Sequence, residues 1–184
     1  MTDQGSRRLP VIASITKLEQ IDAAVNSAVE RVNLMTGDIM KLRDIVNRLH
    51  SSGKKVFVHL EMVSGIGRDN SAVQYLADSY KIDGIITTKT NTVLASRQAG
   101  ISSIQRVFAI DTTALGTAVK MIGQARPDEV ELMPGLMPRV IRDLKKEIHC
   151  PLIVGGFLRS EEEIDEALAN GADLVSTGDT RFWT

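Results

Sequence analysis

The chain has 184 residues, of which 43% are hydrophobic and 24% are charged, and its formal net charge is −1. These values are typical of a single soluble globular domain with a sizeable core, which we expect to span residues 1–184. The near-zero charge excludes a general attraction to nucleic acid or to an acidic membrane, so an RNA-binding role would require a local basic patch.

Short apolar runs rich in β-formers recur along the chain, and helical patterns separate them. The eight predicted strands are Pro10–Ile15, Arg31–Thr36, Lys55–Glu61, Gly84–Thr88, Ile104–Ile110, Glu129–Met133, Pro151–Gly155 and Asp173–Ser176. The clearest helix places Ile39, Leu42, Ile45, Val46 and Leu49 on one face and ends at Gly53. Asp111 is predicted to cap a later helix, and Ser160 with Glu163 to form a capping box.

This alternation predicts an α/β fold with a parallel sheet covered by helices. Eight strands favour closure into a TIM-type barrel, with a doubly wound open sheet as the alternative. The uniform strand composition shows no switch point and favours the barrel. Such barrels typically have about 250 residues, so this one should be compact with short loops. Only RFWT remains after the last strand and its loop, which predicts an incomplete final helix.

Other features of the sequence indicate the compartment and argue against several kinds of site. The one cysteine, Cys150, excludes an intramolecular disulfide and fits a reducing cytoplasm. No secretory signal is recognisable, and no apolar run approaches the ~20 residues of a membrane span. We therefore expect a cytoplasmic protein without a membrane partner. No Cys/His spacing suits zinc, and nothing in the sequence indicates a metal or a cofactor.

Ionisable residues lie near the ends of several predicted strands, where ligands bind in this type of barrel. In KVFVHLE, alternation sends His59 and Glu61 toward the barrel interior, and in EVELM it sends Glu131 inward. A carboxylate on a core strand needs a partner, and Arg106 is a candidate. Lys89 follows the fourth strand. These residues are either ligand contacts or members of a structural salt-bridge network.

Strands seven and eight end in small residues, at the place where barrels often bind phosphate. Strand seven ends in Gly155-Gly156 before a helix, and strand eight ends in Ser176-Thr177-Gly178. Backbone amides at a helix N-terminus bind anions, and glycine allows close approach. The tail DTRFW is a candidate for a short extra helix. The sequence thus predicts a phosphate site at these residues, with a tight turn as the alternative.

Several segments taken in order resemble the glycerol uptake operon antiterminator family. They are KKVFVHLEMVSGIGRDN, DGIITTKTN, IQRVFAIDTTAL, EVELMPGLMPRVI, PLIVGGFLRSEEEIDEAL and LVSTG, and the resemblance is clearest from Lys54 to Trp183. It implies a small TIM-barrel-like protein that responds to glycerol 3-phosphate and acts on the leader mRNA of glycerol operons. The phosphate would then contact Gly155, Gly156, Ser176, Thr177 and Gly178. The glycerol hydroxyls would contact some of His59, Glu61, Lys89, Arg106 and Glu131.

Composition alone does not indicate RNA binding, because aromatic residues are scarce and the chain is not basic. Basic residues nevertheless cluster in two places, and each cluster is also what the solvated face of an amphipathic helix would show. The clusters are Lys41, Arg43, Arg48, Lys54 and Lys55, and then Arg139, Arg142, Lys145 and Lys146. RNA binding therefore rests on the resemblance, and it could require a homo-oligomer or the ligand to assemble a surface.

The main alternative is an enzyme, of the isomerase, aldolase or synthase type, acting on a small phosphorylated substrate. His59 with Glu61 would perform acid–base chemistry, and Lys89 would form a Schiff base. No catalytic signature beyond these polar strand ends supports it, so we predict a regulator without catalytic residues. Fold by itself does not decide between the two functions.

Overall fold

The computed structural model describes residues 8–184, in which eight parallel strands form a closed barrel in chain order. The strands are β1 Val11–Ile15, β2 Arg31–Leu34, β3 Lys55–His59, β4 Gly84–Thr87, β5 Ser102–Phe108, β6 Glu129–Met133, β7 Leu152–Gly155 and β8 Leu174–Thr177. The barrel closes where β1 pairs with β8, with Ile12 in register with Ser176. The predicted TIM-type barrel is confirmed, and the open-sheet alternative is wrong.

Seven helices connect the strands on the outside of the barrel. They are α1 Ile21–Asn26, α2 Ile39–Ser51, α3 Asn70–Tyr75, α4 Thr90–Gln98, α5 Thr112–Ala125, α6 Pro138–Glu147 and α7 Glu161–Ala169. A π-helical turn, Leu76–Tyr80, extends α3. Within residues 8–184, none of the helices has both the length and the apolar character that a membrane crossing requires.

The eighth helix is reduced to one 3-10 turn, Thr180–Phe182, as the short tail of the sequence predicts. The residue after this turn, Trp183, is only 2% exposed. Its indole N–H donates a hydrogen bond to the carbonyl of Thr177 at 2.9 Å. A single buried aromatic side chain thus packs the end of the chain against β8.

Side chains alternate between two apolar layers, as the pleat of each strand requires. On β3, Val56 and Val58 belong to the large core between barrel and helices. Phe57, between them, belongs to a smaller cluster that fills the barrel interior. The other fully or nearly buried members of this interior cluster are Ile12, Met35, Ile86, Ile104 and Ile153.

One strand boundary differs from the prediction in a way that affects the site. The sequence pattern extends the third strand to Glu61, but β3 ends at His59 and the chain turns into a 3-10 turn, Leu60–Met62. Leu60 has no exposed surface, because this turn buries it in the outer core. Strand alternation therefore does not determine where Glu61 lies.

Carboxylates cap the helices that begin at the carboxyl ends of the strands. Asp38, Asp69 and Asp111 each accept a hydrogen bond from a backbone N–H in the first turn of the following helix. The predicted capping box of Ser160 and Glu163 is present at the start of α7. These carboxylates consequently already accept hydrogen bonds from backbone amides, and they must be counted as engaged groups when the charges at this end of the barrel are compared.

Candidate ligand-binding site at the barrel mouth

A buried ionic network lies inside the barrel near its carboxyl end, which we call the mouth. Arg106 and Glu131 are in register on β5 and β6. Both the Nε and the Nη2 of Arg106 lie 2.7 Å from Oε2 of Glu131. Ser176 Oγ donates to the other carboxylate oxygen at 2.6 Å. Because both oxygens of Glu131 are paired, the burial of its charge is compensated.

A cavity of about 440 Å³ opens above this network, and we call it the mouth cavity. Its residues come from the strand ends and from the loops after β1, β7 and β8. They are Ser14, Thr16, Met35, Arg106, Met133, Gly156, Phe157, Leu158, Arg159, Ser176, Thr177, Gly178 and Asp179. Met35 lies over the network, with its sulphur 3.5 Å from Nη2 of Arg106. The volume suits a small organic ligand.

The structure brings together four of the five residues predicted to hold a phosphate. Gly156, Ser176, Thr177 and Gly178 all line the mouth cavity, together with Arg106 from the second predicted set. Gly155 lies next to them at the end of β7 but does not line the cavity. Ser176 has its hydroxyl proton committed to Glu131, so this hydroxyl would meet a ligand as an acceptor.

Both glycines of the Gly155-Gly156 pair have a structural reason that is independent of any ligand. A Cβ on Gly155 would lie 2.3 Å from Ser176 Oγ, so β7 and β8 approach too closely there for another residue. Gly156 has φ +83°, a left-handed conformation that side chains disfavour. The double glycine is thus required by strand packing and by the turn, whether or not a phosphate binds beside it.

The N-terminus of α7 differs from the anion-binding element that the sequence pattern predicts. Residues 157–160 separate the glycines from this helix, and the capping box already engages its first turn. That turn also carries Glu161, Glu162 and Glu163, which would repel an anion. An anion in the mouth cavity would instead meet the loops at Gly156 and Gly178.

The charges around the mouth cavity leave one cation, Arg159, without a carboxylate partner among residues 8–184. Arg106 forms its floor, and the exposed Arg159, which the sequence analysis missed, lies at its edge. The one carboxylate among the lining residues, Asp179, is ion-paired with Arg181 at 2.6 Å. Hydrogen bonds from Arg181 hold the pKa of Asp179 below its usual value. The position of Arg159, three residues after Gly156, was the available signal.

A second polar group, which we call the β3–β4 corner, lies outside the mouth cavity. His59 Nδ1 is 3.2 Å from one carboxylate oxygen of Glu61, and Thr87 Oγ1 donates to the other at 2.5 Å. Burial opposes ionisation of Glu61, but the hydrogen bonds from His59 and Thr87 outweigh it and lower its pKa. Lys89 is exposed at the start of α4, and its backbone N–H donates to Thr87 Oγ1.

Asn33 is a buried polar residue that the sequence analysis missed. It has no exposed surface, and neither its amide oxygen nor its amide nitrogen has a hydrogen-bond partner among residues 8–184. Its neighbours Val32 and Leu34 belong to the outer core, so Asn33 faces the barrel interior. It is in register with Ser14, which lines the mouth cavity. The run RVNLMT gave the signal, a lone amide in an otherwise apolar strand.

Three other cavities are of similar size. One of about 440 Å³ lies beside the mouth cavity, between β5 and α5, and shares Arg106 with it. Two of about 380 and 350 Å³ lie at the amino ends of the strands, and Arg31 and Lys55 line both. There Arg31 makes two contacts with Glu129, at 2.9 and 2.6 Å, and stacks 4.5 Å above the Phe57 ring centre.

The two predicted basic clusters are largely used by intramolecular contacts. Lys54 is buried, donates to the carbonyls of Ser27 and Val29, and has its pKa lowered by that burial. Arg43 stacks on the Tyr80 ring at 4.7 Å, and Arg48 pairs with Asp22. In the second cluster Lys145 pairs with Asp173 at 2.5 Å. Arg139 and Arg142 are exposed and have no ionic partner among the residues described.

Comparison with known proteins assigns a family to this arrangement. The family model described as glycerol-3-phosphate responsive antiterminator matches residues 11–183. A protein of Escherichia coli K12, named uncharacterized protein YgcP, is 32% identical over 178 residues, which cover 97% of this chain and 93% of that protein. The match therefore extends over both chains nearly end to end.

Solved structures give the same result. A glycerol uptake operon antiterminator regulatory protein from Listeria monocytogenes superimposes with a TM-score of 0.91 and 27% identity, covering 100% of this chain and 98% of that one. A glycerol uptake operon antiterminator-related protein from Thermotoga maritima gives 0.84 and 29%, covering 95% and 98%.

Enzymes are among the more distant matches. Orotidine 5'-phosphate decarboxylase from Pyrococcus horikoshii is 14% identical with a TM-score of 0.69, covering 91% of this chain and 88% of the enzyme. At that identity the likeness shows a shared fold and nothing about chemistry. The resemblance noted in the sequence is confirmed, and the chain belongs to the glycerol-3-phosphate responsive antiterminator family.

Proposed function

We propose that this protein is a glycerol 3-phosphate-responsive transcription antiterminator that acts on the leader mRNA of a glycerol-utilisation operon, with the ligand bound in the mouth cavity. The family supports the ligand class and the type of regulation. One observation carries the location: four of the predicted phosphate residues, from the ends of β7 and β8 and the loops after them, line a cavity that Arg106 and Arg159 also line.

The phosphate is placed at the loops of Gly156 and Gly178, with Arg159 as its counter-ion. Backbone amides and an arginine together suit a phosphate, because both donate toward its oxygens. Gly178 is at the centre of this proposal, since a Cβ there would meet only Ser14 and Thr16 atoms at 3.4 Å or more. Packing therefore does not require the residue at Gly178 to be a glycine, whereas it does at Gly155.

The glycerol hydroxyls are placed over the floor of the cavity, near Arg106 and Ser176. Glu131 acts there by holding the guanidinium of Arg106 in a fixed orientation. Asn33 lies on β2 and Met35 directly follows that strand. A ligand that displaces Met35 would bring a hydroxyl toward the amide of Asn33, which has no hydrogen-bond partner among residues 8–184. Pairing a buried amide is favourable, because its lack of a partner costs free energy.

Two further residues of the predicted set, His59 and Glu61, act as a support of the mouth rather than as ligand contacts in this proposal. His59 pairs with Glu61, Glu61 also accepts a hydrogen bond from Thr87, and neither His59 nor Glu61 lines the mouth cavity. A change there would act on the ligand through the loop after β3.

A regulator without enzymatic activity fits these features better than a phosphate-dependent enzyme does. A Schiff-base lysine is activated by desolvation or by a neighbouring cation. Lys89 is exposed and projects from the start of α4. Borohydride treatment in the presence of a small carbonyl phosphate such as dihydroxyacetone phosphate should therefore leave the protein mass unchanged, and a mass increase on Lys89 would favour the enzyme.

Calorimetric titration with glycerol 3-phosphate tests the ligand site, with glycerol and inorganic phosphate as comparison ligands. We expect selective binding of glycerol 3-phosphate by the unmodified protein. Gly178→Asp should weaken it by roughly a hundredfold, because a like charge opposite a phosphate costs several kcal/mol. Gly155→Asp is unsuitable, since its side chain would collide with Ser176 and disturb the barrel.

Gly116→Asp is the matched control for this titration. It introduces the same charge on α5, at an exposed position where a Cβ meets nothing within 4 Å. It should leave the affinity unchanged. Equal affinities for Gly178→Asp and Gly116→Asp would place the ligand elsewhere, and the absence of binding to all three compounds would contradict the proposed ligand.

A further inference from the structure

Exposed apolar side chains are concentrated at the mouth of the barrel. Eight large hydrophobic residues are exposed in the part of the chain that the structure describes, and six of them lie at the carboxyl end of a strand, in the loop after it or in the first turn of the following helix. These six are Met40, Met62, Phe108, Ile110, Leu136 and Phe157. Such a concentration on one face marks an interaction surface, because scattered exposure would need no explanation.

Four of these residues follow three consecutive strands and define what we call the rim. Phe108 ends β5, Ile110 follows it, Leu136 follows β6 and Phe157 follows β7. Phe157 is 69% exposed and has φ +66°, a conformation that is unfavourable for a bulky residue. The loop thus holds a mostly exposed aromatic ring in a backbone conformation that is unfavourable for a bulky residue.

Cations without an ionic partner surround the rim. Lys89, Arg139 and Arg159 follow β4, β6 and β7, all three are exposed, and their charged groups contact no carboxylate within residues 8–184. They therefore remain available to an external anion.

The carboxylates of the neighbouring loops are mostly occupied. Asp111 caps α5, Asp179 pairs with Arg181, and Glu163 accepts from the backbone N–H groups of Arg159 and Ser160. Glu161 and Glu162 are exposed on the first turn of α7 and mark the border beyond which an anion would be repelled. The rim consequently presents exposed aromatic faces, and cations without a carboxylate partner among residues 8–184 surround it, although the chain as a whole carries a net charge of −1.

We propose that the rim binds a single-stranded segment of RNA, with bases stacked on Phe108 and Phe157 and phosphates near Lys89, Arg139 and Arg159. Exposed aromatic faces recognise splayed bases, and cations along their edge follow the phosphate backbone. This inference rests on the proposed function and adds to it the surface and the form of RNA that this surface accepts.

The same geometry provides a physical route for regulation by the ligand. Phe157 and Arg159 line the mouth cavity and also belong to the RNA surface. A ligand held at Gly156 would fix the loop that carries both residues. RNA that binds afterwards would not have to order this loop itself. RNA then binds more tightly to the ligand-bound state, which is the differential affinity that regulation requires.

The test uses single-stranded random-sequence RNA, enriched by retention on the full-length protein in the presence of glycerol 3-phosphate. The double variant Lys89→Glu/Arg139→Glu should weaken binding of the enriched RNA and lower its salt dependence, by a slope of roughly 0.7 for each phosphate that is no longer neutralised. Phe108→Leu should weaken it roughly fivefold or more, the effect of removing one base stack. None of these three residues lines the mouth cavity, so glycerol 3-phosphate titrations of the same variants should be unchanged.

Matched controls separate the rim from general charge and general exposure. Lys55→Glu/Lys120→Glu makes the same change in net charge at the amino face of the barrel and on the outer helix α5, where both residues are exposed. Tyr75→Leu removes an exposed aromatic ring from the outer helix α3. All three substitutions should leave RNA binding intact, and a fully paired duplex of the enriched sequence should compete poorly.

Several outcomes would overturn the rim as an RNA surface. Equal losses in the rim and control variants would mean that the RNA binds elsewhere, while the proposed function would stand. Failure to enrich any RNA, with glycerol 3-phosphate binding intact, would contradict the RNA partner. Loss of self-association in sedimentation, or loss of binding to phosphatidylglycerol vesicles, in place of an RNA effect would assign the rim to a second copy of the chain or to a membrane surface.

Discussion

The two ends of the barrel hold similar ion pairs and similar cavities, and they differ in the residues that border those cavities. At the amino end, Arg31 and Glu129 pair beside cavities of about 380 and 350 Å³, and the exposed cation Lys55 lines both. At the mouth, Arg106 and Glu131 pair beneath a cavity of about 440 Å³, with the exposed cation Arg159 at its edge. Glycines of two loops border the mouth cavity, whereas no glycine of the described residues lines the amino-end cavities.

The comparison also separates structural from functional polar residues. The arginine of the amino end is held from two sides, by stacking on Phe57 and by its ion pair with Glu129. At the mouth, glycines border the cavity, and the amide of Asn33 lies nearby without a hydrogen-bond partner among residues 8–184. A ligand can form hydrogen bonds with polar groups that have no partner within the protein. Buried polar groups without a partner therefore indicate where a ligand could bind.

The largest effect that would sharpen this comparison concerns the two ion pairs. Glu131→Ala should lower the free energy of unfolding by about 3–5 kcal/mol, because it leaves Arg106 charged, buried and alone. Glu129→Ala should cost only about 1–2 kcal/mol, because both members of this pair are partly exposed, Arg31 by 15% and Glu129 by 18%. Urea unfolding at neutral pH measures both, and equal losses would show that the amino-end pair is as strictly buried as the mouth pair.

A ligand-binding difference between the ends should come next in size. Arg159→Ala should weaken glycerol 3-phosphate binding roughly fivefold to tenfold, the effect expected for one charge-assisted hydrogen bond at an exposed position. Lys55→Ala removes an exposed cation beside the amino-end cavities and should change nothing. Calorimetry on both variants makes the comparison, and a loss confined to Lys55→Ala would transfer the phosphate to the other end.

The β3–β4 corner provides a test of acid sensitivity within the mouth. The lowered pKa of Glu61 contributes stability that is present above the ordinary glutamate pKa and is lost as the pH falls through the folded-state value. Thr87→Val removes one hydrogen bond to the carboxylate, so the pKa should rise toward its ordinary value, and the acid-induced loss of stability should be smaller and complete at a higher pH. The expected cost at neutral pH is about 1 kcal/mol. Carboxyl NMR titration measures the shift, and an unchanged titration would mean that His59 alone sets it.

The smallest effect should come from the corresponding carboxylate at the amino end. Burial opposes ionisation of Asp173, but hydrogen bonds from the Leu152 N–H and from Lys145 lower its pKa. Both partners of the ion pair are substantially exposed, so Lys145→Ala should cost only about 0.5 kcal/mol at neutral pH. The residual bond from Leu152 keeps the pKa of Asp173 below normal. Acid unfolding followed by circular dichroism measures the loss of stability in Lys145→Ala. A loss as large as that of Glu131→Ala would mean that this surface pair contributes as much to stability as the buried pair.

Much of the architecture was readable from the sequence, because strand and helix periodicities are local properties. The order of the eight strands, the incomplete final helix and the capping box at Ser160 follow from spacing and residue type. The inward direction of His59 and Glu131 followed from strand alternation. Glu61 did not follow from it, because a 3-10 turn ends the strand two residues early.

Only the tertiary structure decided which polar residues meet. Four of the predicted phosphate residues line one cavity, but the N-terminus of α7 is capped and acidic, so amide donors for a phosphate there would have to come from loops. Arg159 and Asn33 became candidates only once the loop and the strand register placed them. Likewise, only the tertiary structure shows that Lys89, Arg139 and Arg159 surround the rim and contact no carboxylate within residues 8–184. Sequence determines periodicity and chemistry, whereas closure of the barrel decides which distant groups are paired and which are left for a ligand.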